Sequence, residues 1–274
     1  MKRRLLMALA LGALFVSGAA FNAAATAYDL YVLGGQSNMD GRGKAGELDA
    51  SRREAVKPAI IYYRNFQHHS DGWQPLGPGF SIAPGYKGSL PSPTFGPEIG
   101  FASAMLRARP GMHLAILKAC KGGTSLSKDW APGIKGQPET QGPCYSNFLA
   151  AATAATQALK QRGDTYVLRG FLWHQGESDA HSTPEVYQAR LTQFIARVRE
   201  DLNTPKLPFV IGEVFDNGKR DSVRTAQRAV VKVVPHTGFA PANELKTWDQ
   251  GTHFDAASQL TLGERLAEAQ LKLN

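Results

Sequence analysis

The chain has 274 residues, a formal net charge of +8 and only two cysteines. This length is sufficient for one large α/β domain, or two small ones, with a sizeable hydrophobic core. Because the basic residues are scattered and do not interleave with aromatic residues, the composition argues against a nucleic-acid-binding surface.

The first segment has the layout of a secretory signal peptide. Residues 2–4 are basic and precede an apolar run over 5–16. Gly12 interrupts this run, and Ser17 and Gly18 follow it. The run is therefore shorter than the roughly 20 apolar residues that a membrane anchor requires. The small residues at 25–27 (Ala-Thr-Ala) provide a cleavage site, so we expect a signal peptide over 1–27.

The mature chain is therefore expected to be one domain over 28–274, exported to the periplasm or the cell exterior. Cleavage near Ala27 removes three basic and no acidic residues, which lowers the formal net charge to +5. No later segment is apolar enough to cross a membrane, so we expect no membrane association after cleavage.

Short runs of β-branched and aromatic residues alternate with stretches of helical periodicity along the mature chain. The runs predict strands at 29–33, 59–63, 113–119, 166–173 and 209–214. The helical patterns lie at 98–109, 147–161, 184–202, 222–233 and 256–271. Strands that alternate with helices are typical of an α/β fold, in which helices cover both faces of a parallel sheet.

Two stretches rich in Gly, Pro, Ser and aromatic residues, 67–97 and 125–143, interrupt this alternation. Loops of this length are uncommon inside a compact domain and are usually functional. We expect both to wall a substrate cleft, the alternative being exposed decoration. The aromatic residues in and beside them suit either stacking on sugar rings or packing of the loops themselves: Trp73, Tyr86, Trp130 and Tyr145.

The two cysteines, Cys120 and Cys144, lie 24 positions apart. In an oxidising compartment they can form one disulfide, and otherwise they are two buried thiols. Sequence spacing leaves both arrangements open, because a disulfide depends on geometry.

In an open parallel sheet, ligands bind beyond the carboxyl ends of the strands, so the residues that follow each strand are the first candidates for a site. The first strand is followed by 34–39 (Gly-Gly-Gln-Ser-Asn-Met), whose glycines permit a tight turn that presents Ser37. The third strand is followed by 121–125 (Lys-Gly-Gly-Thr-Ser), where a backbone N–H can help to form an oxyanion hole. The alternative is that this segment is an ordinary turn.

The fourth strand is followed by a polar cluster over 173–179 (Trp-His-Gln-Gly-Glu-Ser-Asp), which is costly to bury unless it faces a cleft. Gln175 can donate its amide to a developing oxyanion, and Glu177 can orient a histidine. His174 is more typical of a hydrogen-bonded wall residue than of a catalyst.

His253 is the best candidate for a general base among the seven histidines. It lies immediately before the last predicted helix, from which its side chain can approach, at the edge of the sheet, the serine that follows the first strand. A serine hydroxyl needs such a base within hydrogen-bond reach to act as a nucleophile. No group of His, Asp and Glu has the spacing of metal ligands, so we predict no metal and no organic cofactor.

Five segments in this order resemble the SGNH (GDSL-like) hydrolases, and within them the sialate O-acetylesterase-like proteins and carbohydrate esterase family six. The segments are 35–39 (GQSNM), 95–98 (FGPE), 121–126 (KGGTSL), 174–178 (HQGES) and 251–254 (GTHF). The resemblance implies a three-layer α/β/α sandwich of flavodoxin-like type with a mainly parallel five-stranded sheet.

The resemblance also implies roles for individual residues. Ser37 is the nucleophile and His253 the base, and the oxyanion hole combines the Ser37 N–H, the Gly123 N–H and the Gln175 side chain. The wider family places its acid three residues before the histidine, where this chain has Gln250.

Two carboxylates can take the place of that acid. Asp249 lies one position earlier and reaches His253 if the loop bulges. Glu177 resembles the acid of some carbohydrate esterases of this type and is slightly favoured.

The expected function is removal of O-acetyl groups from carbohydrates, such as acetylxylan or sialate-type substrates, by a serine carboxylic ester hydrolase with an acyl-enzyme intermediate. Two alternatives remain at this point. One is a lipase or thioesterase of the same superfamily, and the other is a non-catalytic glycan-binding module that has lost its acid. The expected partner is an acetylated carbohydrate; the glycan, the acetyl position and the oligomeric state are left open.

Overall fold

A computed structural model describes residues 25–273. The predicted signal peptide lies outside this range except for its last three residues. Among the described residues, no helix is both long enough and apolar enough to cross a membrane.

Nine strands and seven α-helices are present in the described part of the chain. The strands are β1 (Ala27–Gly35), β2 (Gly43–Lys44), β3 (Ile60–Arg64), β4 (Gln74–Pro75), β5 (Thr94–Phe95), β6 (Leu114–Cys120), β7 (Thr165–His174), β8 (Phe209–Gly212) and β9 (Thr237–Ala240). The helices are α1 (Ser37–Asp40), α2 (Ala50–Val56), α3 (Glu98–Ala108), α4 (Pro143–Gln161), α5 (Pro184–Asp201), α6 (Asp221–Val233) and α7 (Ala256–Leu271).

The central sheet has seven strands in the order β4-β3-β6-β1-β7-β8-β9, so the expected count of five is corrected. All five predicted strands are present and adjacent, and they pair in parallel. The two additional strands are the edges. β9 pairs in parallel with β8, whereas β4 pairs antiparallel with β3. Both edges lack the long apolar run on which the strand prediction depended.

Helices cover both faces of this sheet, which makes three layers. Side chains alternate along β1, so that Tyr31 and Leu33 join the core beneath α3 and α7. Leu30 and Val32 point the other way, into the core beneath α4, α5 and α6. The five predicted helices correspond to α3 to α7, and α4 begins four residues earlier than expected, with Pro143 at its first turn.

Glycine allows α3 and α7 to pack with their backbones in contact. A Cβ on Gly100 would lie 2.1 Å from the carbonyl oxygen of Leu260, and one on Gly263 would lie 2.1 Å from that of Pro97. This close packing fixes the start of α7, and Asp255 caps it by accepting the Ser258 N–H at 2.8 Å. The loop that carries His253 leads directly into this cap.

Candidate active site

The carboxyl ends of β1, β6 and β7 meet at one edge of the sheet, where a cavity of about 690 Å³ opens. Gly35 ends β1 with φ +145°, and a Cβ there would lie 2.1 Å from the carbonyl oxygen of His174. Only glycine therefore allows β1 to end in contact with the last residue of β7. The chain turns at this point, and Ser37 becomes the first residue of α1.

Ser37 lines the cavity together with Gly122, Gly123 and His253. The turn after β6 packs against the serine, since a Cβ on Gly122 would lie only 3.3 Å from Ser37 Cβ. Gly123 follows with φ +69°, a conformation that favours glycine. The structure thus brings four of the predicted site residues, Ser37, Gly123, Glu177 and His253, to one cavity.

Asp249 is the carboxylate in contact with His253. Its Oδ2 atom lies 2.5 Å from His253 Nδ1, and its Oδ1 accepts the His253 backbone N–H at 2.7 Å. The spacing is four residues, because Gln250 (φ +61°) and Gly251 (φ +112°) wind the loop tightly between the two. The carboxylate therefore orients the imidazole through Nδ1, and Nε2 has no hydrogen bond to another residue among 25–273.

The electrostatics of this pair favour an ionised carboxylate. Partial burial acts to raise the pKa of Asp249, but hydrogen bonds from the backbone and the ring of His253 outweigh it and lower the pKa below its ordinary value. The ring of Trp248 stacks on His253 with centroids 5.8 Å apart and planes 19° apart, which restricts the imidazole further.

Glu177, the slightly favoured acid, has other partners. Its Oε1 accepts a hydrogen bond from Asn38 Nδ2 at 2.7 Å and lies 3.8 Å from His174 Nδ1. It lines the cavity, but its hydrogen bond goes to the helix of the candidate nucleophile and not to His253. His174 itself is fully buried, and its Nε2 lies 3.1 Å from the carbonyl oxygen of Glu213, as expected for a wall residue.

Gln175, the predicted third oxyanion donor, does not reach the cavity. Its side chain is fully buried, and Nε2 donates to Asp179 Oδ2 at 2.6 Å and to the Thr124 carbonyl oxygen at 3.0 Å. Its Oε1 accepts from the Tyr187 hydroxyl at 3.1 Å. These partners are residues whose proximity the sequence pattern does not reveal.

Of the two predicted loop walls, only the first lines the cavity, through residues that include Gln67, Ile82, Tyr86 and Lys87. No residue of 125–143 lies against it. Of the four aromatic residues considered for sugar stacking, Tyr86 alone lines the cavity. Trp130 and Tyr145 pack in the hydrophobic core, and Trp73 donates its indole N–H to the carbonyl oxygen of Ala155.

Asn38 was not singled out in the sequence, and it joins α1 to the histidine loop. Its Nδ2 donates to the Thr252 carbonyl oxygen at 2.9 Å, and its Oδ1 accepts the Phe254 N–H at 3.0 Å. The two contacts lie on either side of His253. The signal that could have found Asn38 is its position directly after Ser37.

A buried network of charges supports α1 from below. The Lys118 ammonium and the Glu98 carboxylate are fully buried and 2.7 Å apart. Lys118 Nζ also donates to the carbonyl oxygens of Asp40 (2.6 Å) and Phe80 (2.8 Å). The last residue of α1 and the start of the cavity wall are thereby held by one ammonium group, which satisfies the hydrogen bonding that a buried charge requires.

The cavity carries an excess of positive charge. Four cationic side chains line it, and Glu177 is the only carboxylate among its lining residues. The four are Arg42, Lys87, Lys121 and Arg220. Arg42 is paired with Asp40 at 2.9 Å, whereas Arg220 donates to the carbonyl oxygen of Gly251. Arg220 is largely buried, and this burial lowers its pKa, but a guanidinium stays protonated at neutral pH.

The two cysteines are separate buried thiols in this structure. Burial raises the pKa of Cys120 well above its ordinary value and that of Cys144 to about 12.

Comparison with known proteins gives consistent results. The family model described as carbohydrate esterase, sialic acid-specific acetylesterase, matches residues 27–272. The chain is 25% identical over 257 residues to the probable carbohydrate esterase At4g34215 of Arabidopsis thaliana, covering 88% of this chain and 90% of that protein.

The fold is also found in solved structures. The Arabidopsis thaliana protein AT4G34215 superposes with a TM-score of 0.69 at 21% identity, covering 89% of this chain and 98% of that one. XAC1771, a carbohydrate acetylesterase from Xanthomonas citri, gives 0.59 at 19% identity, covering 88% and 55%. NanS gives 0.57 at 16% identity, covering 90% and 97%. Because the family model spans nearly the whole described chain, this protein belongs to the carbohydrate esterase family of sialic acid-specific acetylesterases.

Proposed function

We propose that this carbohydrate esterase is an exported serine O-acetylesterase in which Ser37, His253 and Asp249 form the catalytic triad. The observation that carries the proposal is the 2.5 Å contact between Asp249 Oδ2 and His253 Nδ1, on a histidine that lines the same cavity as Ser37. A carboxylate bound to Nδ1 leaves Nε2 as the basic nitrogen, as general-base catalysis on a serine requires.

Acylation follows from this arrangement. His253 Nε2 takes the proton of the Ser37 hydroxyl as Ser37 Oγ forms a bond to the acetyl carbonyl carbon, and the carbonyl π electrons move to its oxygen. The N–H groups of Ser37 and Gly123 stabilise that oxyanion. The tetrahedral intermediate then breaks its bond to the sugar oxygen, which receives the proton from His253. The products are acetyl-Ser37 and a free sugar hydroxyl.

Deacylation repeats the chemistry with water. His253 takes one proton from a water molecule as the water oxygen attacks the acetyl carbon. When the bond between the acetyl carbon and Ser37 Oγ breaks, His253 returns this proton to Ser37 Oγ. Acetic acid leaves and ionises in solution. Asp249 stabilises the imidazolium in both steps, and its lowered pKa keeps it ionised across the neutral range.

The charge of the cavity supports an acidic sugar as the substrate. Lys87 of the first loop and Lys121 of the turn after β6 both line it, and Arg220 adds a buried positive charge, whereas the charge of Arg42 is balanced by Asp40. Such a field attracts and orients an anion. We therefore propose acetylated sugars that carry a carboxylate, of the sialate type, in preference to neutral acetylxylan.

The contacts of Asp249 bear on the alternatives. The case for a non-catalytic glycan-binding module rested on an amide at Gln250, and that case weakens because Asp249 meets His253 from the neighbouring position. A lipase would favour a broad apolar groove, whereas this cavity is lined by four cationic side chains.

Acetate release from three substrates tests the function. These are O-acetylated sialic acid, acetylated xylo-oligosaccharides and a long-chain nitrophenyl ester. We expect hydrolysis of the first to be fastest, and Ser37→Ala to abolish hydrolysis of all three. Absence of acetate release from both sugars would overturn the proposal, as would activity in Ser37→Ala above a few per cent of that of the parent protein.

A charge variant tests the preference for acidic sugars. Lys87→Ala combined with Lys121→Ala should raise KM for the acidic sugar by about fivefold per lysine and leave KM for a neutral acetyl ester nearly unchanged. An equal change for both substrates would contradict the proposed role of the cavity charge.

Export is tested by N-terminal sequencing of the protein recovered outside the cytoplasm. Cleavage after Ala27 should give a mature chain that begins at Tyr28, which keeps Tyr28 and the rest of β1 paired with β7. Recovery of the uncleaved chain from the cytoplasm alone would contradict export.

A further inference from the structure

Gln36 lies between the end of β1 and the first residue of α1, directly before Ser37. It lines the cavity and is almost completely buried, with 3% of its surface exposed. Its carboxamide faces two environments. One side meets the turn that follows β7, and the other faces the cavity beside Ser37.

The oxygen of this carboxamide is bound by the turn. Gln36 Oε1 accepts hydrogen bonds from Gln175 Nε2 at 3.2 Å and from the backbone N–H groups of Gly176 and Ser178, each at 3.4 Å. Backbone N–H groups can only donate, so the atom that faces them must be the oxygen of the carboxamide. The orientation of the Gln36 amide is therefore determined by its surroundings.

The nitrogen of the same amide is consequently directed away from the turn. Within residues 25–273, Gln36 Nε2 donates to no other residue, and it is not among the polar atoms sealed off from solvent. An amide NH₂ held in place through its oxygen and open to a cavity is a preorganised hydrogen-bond donor. This donor belongs to the residue that directly precedes Ser37.

Gln175 lies behind Gln36 in this arrangement. The two hydrogens of its Nε2 are shared among three acceptors, Asp179 Oδ2 at 2.6 Å, the Thr124 carbonyl oxygen at 3.0 Å and Gln36 Oε1 at 3.2 Å, and its side chain has no exposed surface. It supports the oxygen of Gln36 and cannot reach a ligand in the cavity without giving up these bonds.

We propose that Gln36 Nε2 is the side-chain donor of the oxyanion hole, acting with the N–H groups of Ser37 and Gly123, and that Gln175 is a positioning residue that holds Gln36. This inference rests on the proposed acyl-transfer function. It assigns to the residue before the nucleophile the role that the sequence resemblance assigned to Gln175.

The Gln36→Glu variant distinguishes two roles of Gln36, that of a hydrogen-bond donor to the oxyanion and that of a purely structural residue. The variant keeps the size of the side chain and an oxygen that accepts from Gly176 and Ser178, but it replaces the NH₂ group by an acceptor. Loss of one oxyanion donor typically lowers kcat by about 10²–10³-fold. We expect this loss in Gln36→Glu and Gln36→Ala alike, with little change in KM and with the urea midpoint of Gln36→Glu unchanged.

Gln161→Glu is the matched control for the substitution. Gln161 is an exposed residue at the end of α4 that does not line the cavity, so this variant makes the same chemical change without removing the proposed donor. Its kcat should stay within a small factor of the parent value, and Gln36→Ala, which adds no charge, separates loss of the donor from the added charge. In addition, the ratio of the kcat of Gln36→Glu to that of the parent protein should rise as the pH falls, since a protonated carboxyl group regains an O–H donor.

The rate of Ser37 labelling by an acetyl-mimicking phosphonate gives an independent readout, because its transition state also carries an oxyanion. This rate should fall with kcat/KM in both Gln36 variants. Near-parental kcat in Gln36→Glu, while Ser37→Ala is inactive, would overturn the inference and leave the esterase function intact. Lack of activity in the parent protein would instead overturn the function itself.

Gln175→Ala completes the test. As a positioning residue it should lower the urea midpoint as well as kcat, since its removal leaves buried hydrogen-bond partners unpaired. A loss of kcat in Gln175→Ala with unchanged stability and full activity in Gln36→Ala would return the donor role to Gln175.

Discussion

Asn38 accepts the backbone N–H of Phe254 at 3.0 Å, although the two residues are 216 positions apart in the chain. The same side chain donates to the carbonyl oxygen of Thr252 at 2.9 Å. Asn38 follows Ser37, and residues 252 and 254 flank His253. One amide side chain thus connects the helix of the proposed nucleophile to both residues that flank the proposed base.

Asn38→Ala should therefore reduce both stability and activity. It leaves several buried groups without partners, which costs about 1–3 kcal/mol. It also loosens the geometry between Ser37 and His253, and a displacement of about 1 Å can cost 10²-fold in rate. Urea unfolding and kcat on an acetyl ester measure the two effects, and Asn217→Ala, which removes one longer bond to the same loop, is the control. Unchanged kcat in Asn38→Ala would show that the loop is positioned by other contacts.

The assignment of the acid is tested by comparing two isosteric variants. Asp249→Asn should lower kcat by up to about 10⁴-fold, as loss of the acid does in a serine triad, because the amide favours the wrong imidazole tautomer. Glu177→Gln should have a much smaller effect, since Glu177 contacts Asn38 and not His253. The opposite ranking of kcat would move the role of the acid to Glu177.

His174 should make stability depend on pH. Burial lowers its pKa below the ordinary value of 6.5, which outweighs the opposing effects of Glu177 and the Glu213 carbonyl group. Above pH 6.5 the histidine is neutral in both folded and unfolded chains and contributes nothing to the pH dependence. As the pH falls below 6.5, only the unfolded chain takes up this proton, so stability is lost until the folded pKa is passed.

The measurement is the free energy of unfolding between pH 7.5 and 4.5 for the parent protein and for His174→Gln. Between these pH values, the free energy of unfolding of His174→Gln should decrease less than that of the parent protein, whatever the absolute stability of the variant. An NMR titration of the parent gives a second check. A His174 imidazole that protonates at or above the ordinary value of 6.5 would contradict the prediction.

The two thiols should be unreactive in the folded protein. Cys120 and Cys144 are both buried, and burial raises the pKa of each, so that the thiolate form needed for reaction is scarce at neutral pH. A thiol-specific reagent should label neither cysteine in buffer and both in denaturant. If neither reacts in denaturant until a reductant is added, the two form a disulfide.

The regular part of the fold is predictable from the sequence where its strands contain continuous apolar runs. The run at 113–119 and strand β6 agree closely, since every residue of Leu114–Cys120 is buried. β9 has the sequence Thr-Gly-Phe-Ala and is only partly buried, so its pairing depends on the neighbouring strand β8 and leaves no apolar run to detect.

The site is predictable to the extent that its residues directly follow regular elements. Ser37 and Gly123 come after the first and third predicted strands, and His253 precedes the last helix, so topology places them at one edge. The contact of Asp249 with His253 depends instead on the positive φ of Gln250, an unusual conformation for a residue with a side chain. The burial of Gln175 depends on Thr124 and Asp179, which the sequence does not show to be neighbours.

The ammonium of Lys118 has a consequence for how substrate preference can change. It holds Phe80, and the Ser92 N–H closes the same segment by donating to the carbonyl oxygen of Gly79 at 2.8 Å. Residues 83–89, which include Tyr86 and Lys87, therefore form a loop with anchored ends. Grafting a different sequence between those anchors should exchange the sugar that is recognised without displacing Ser37, the proposed nucleophile, which makes this loop the natural place to diversify or redesign the protein.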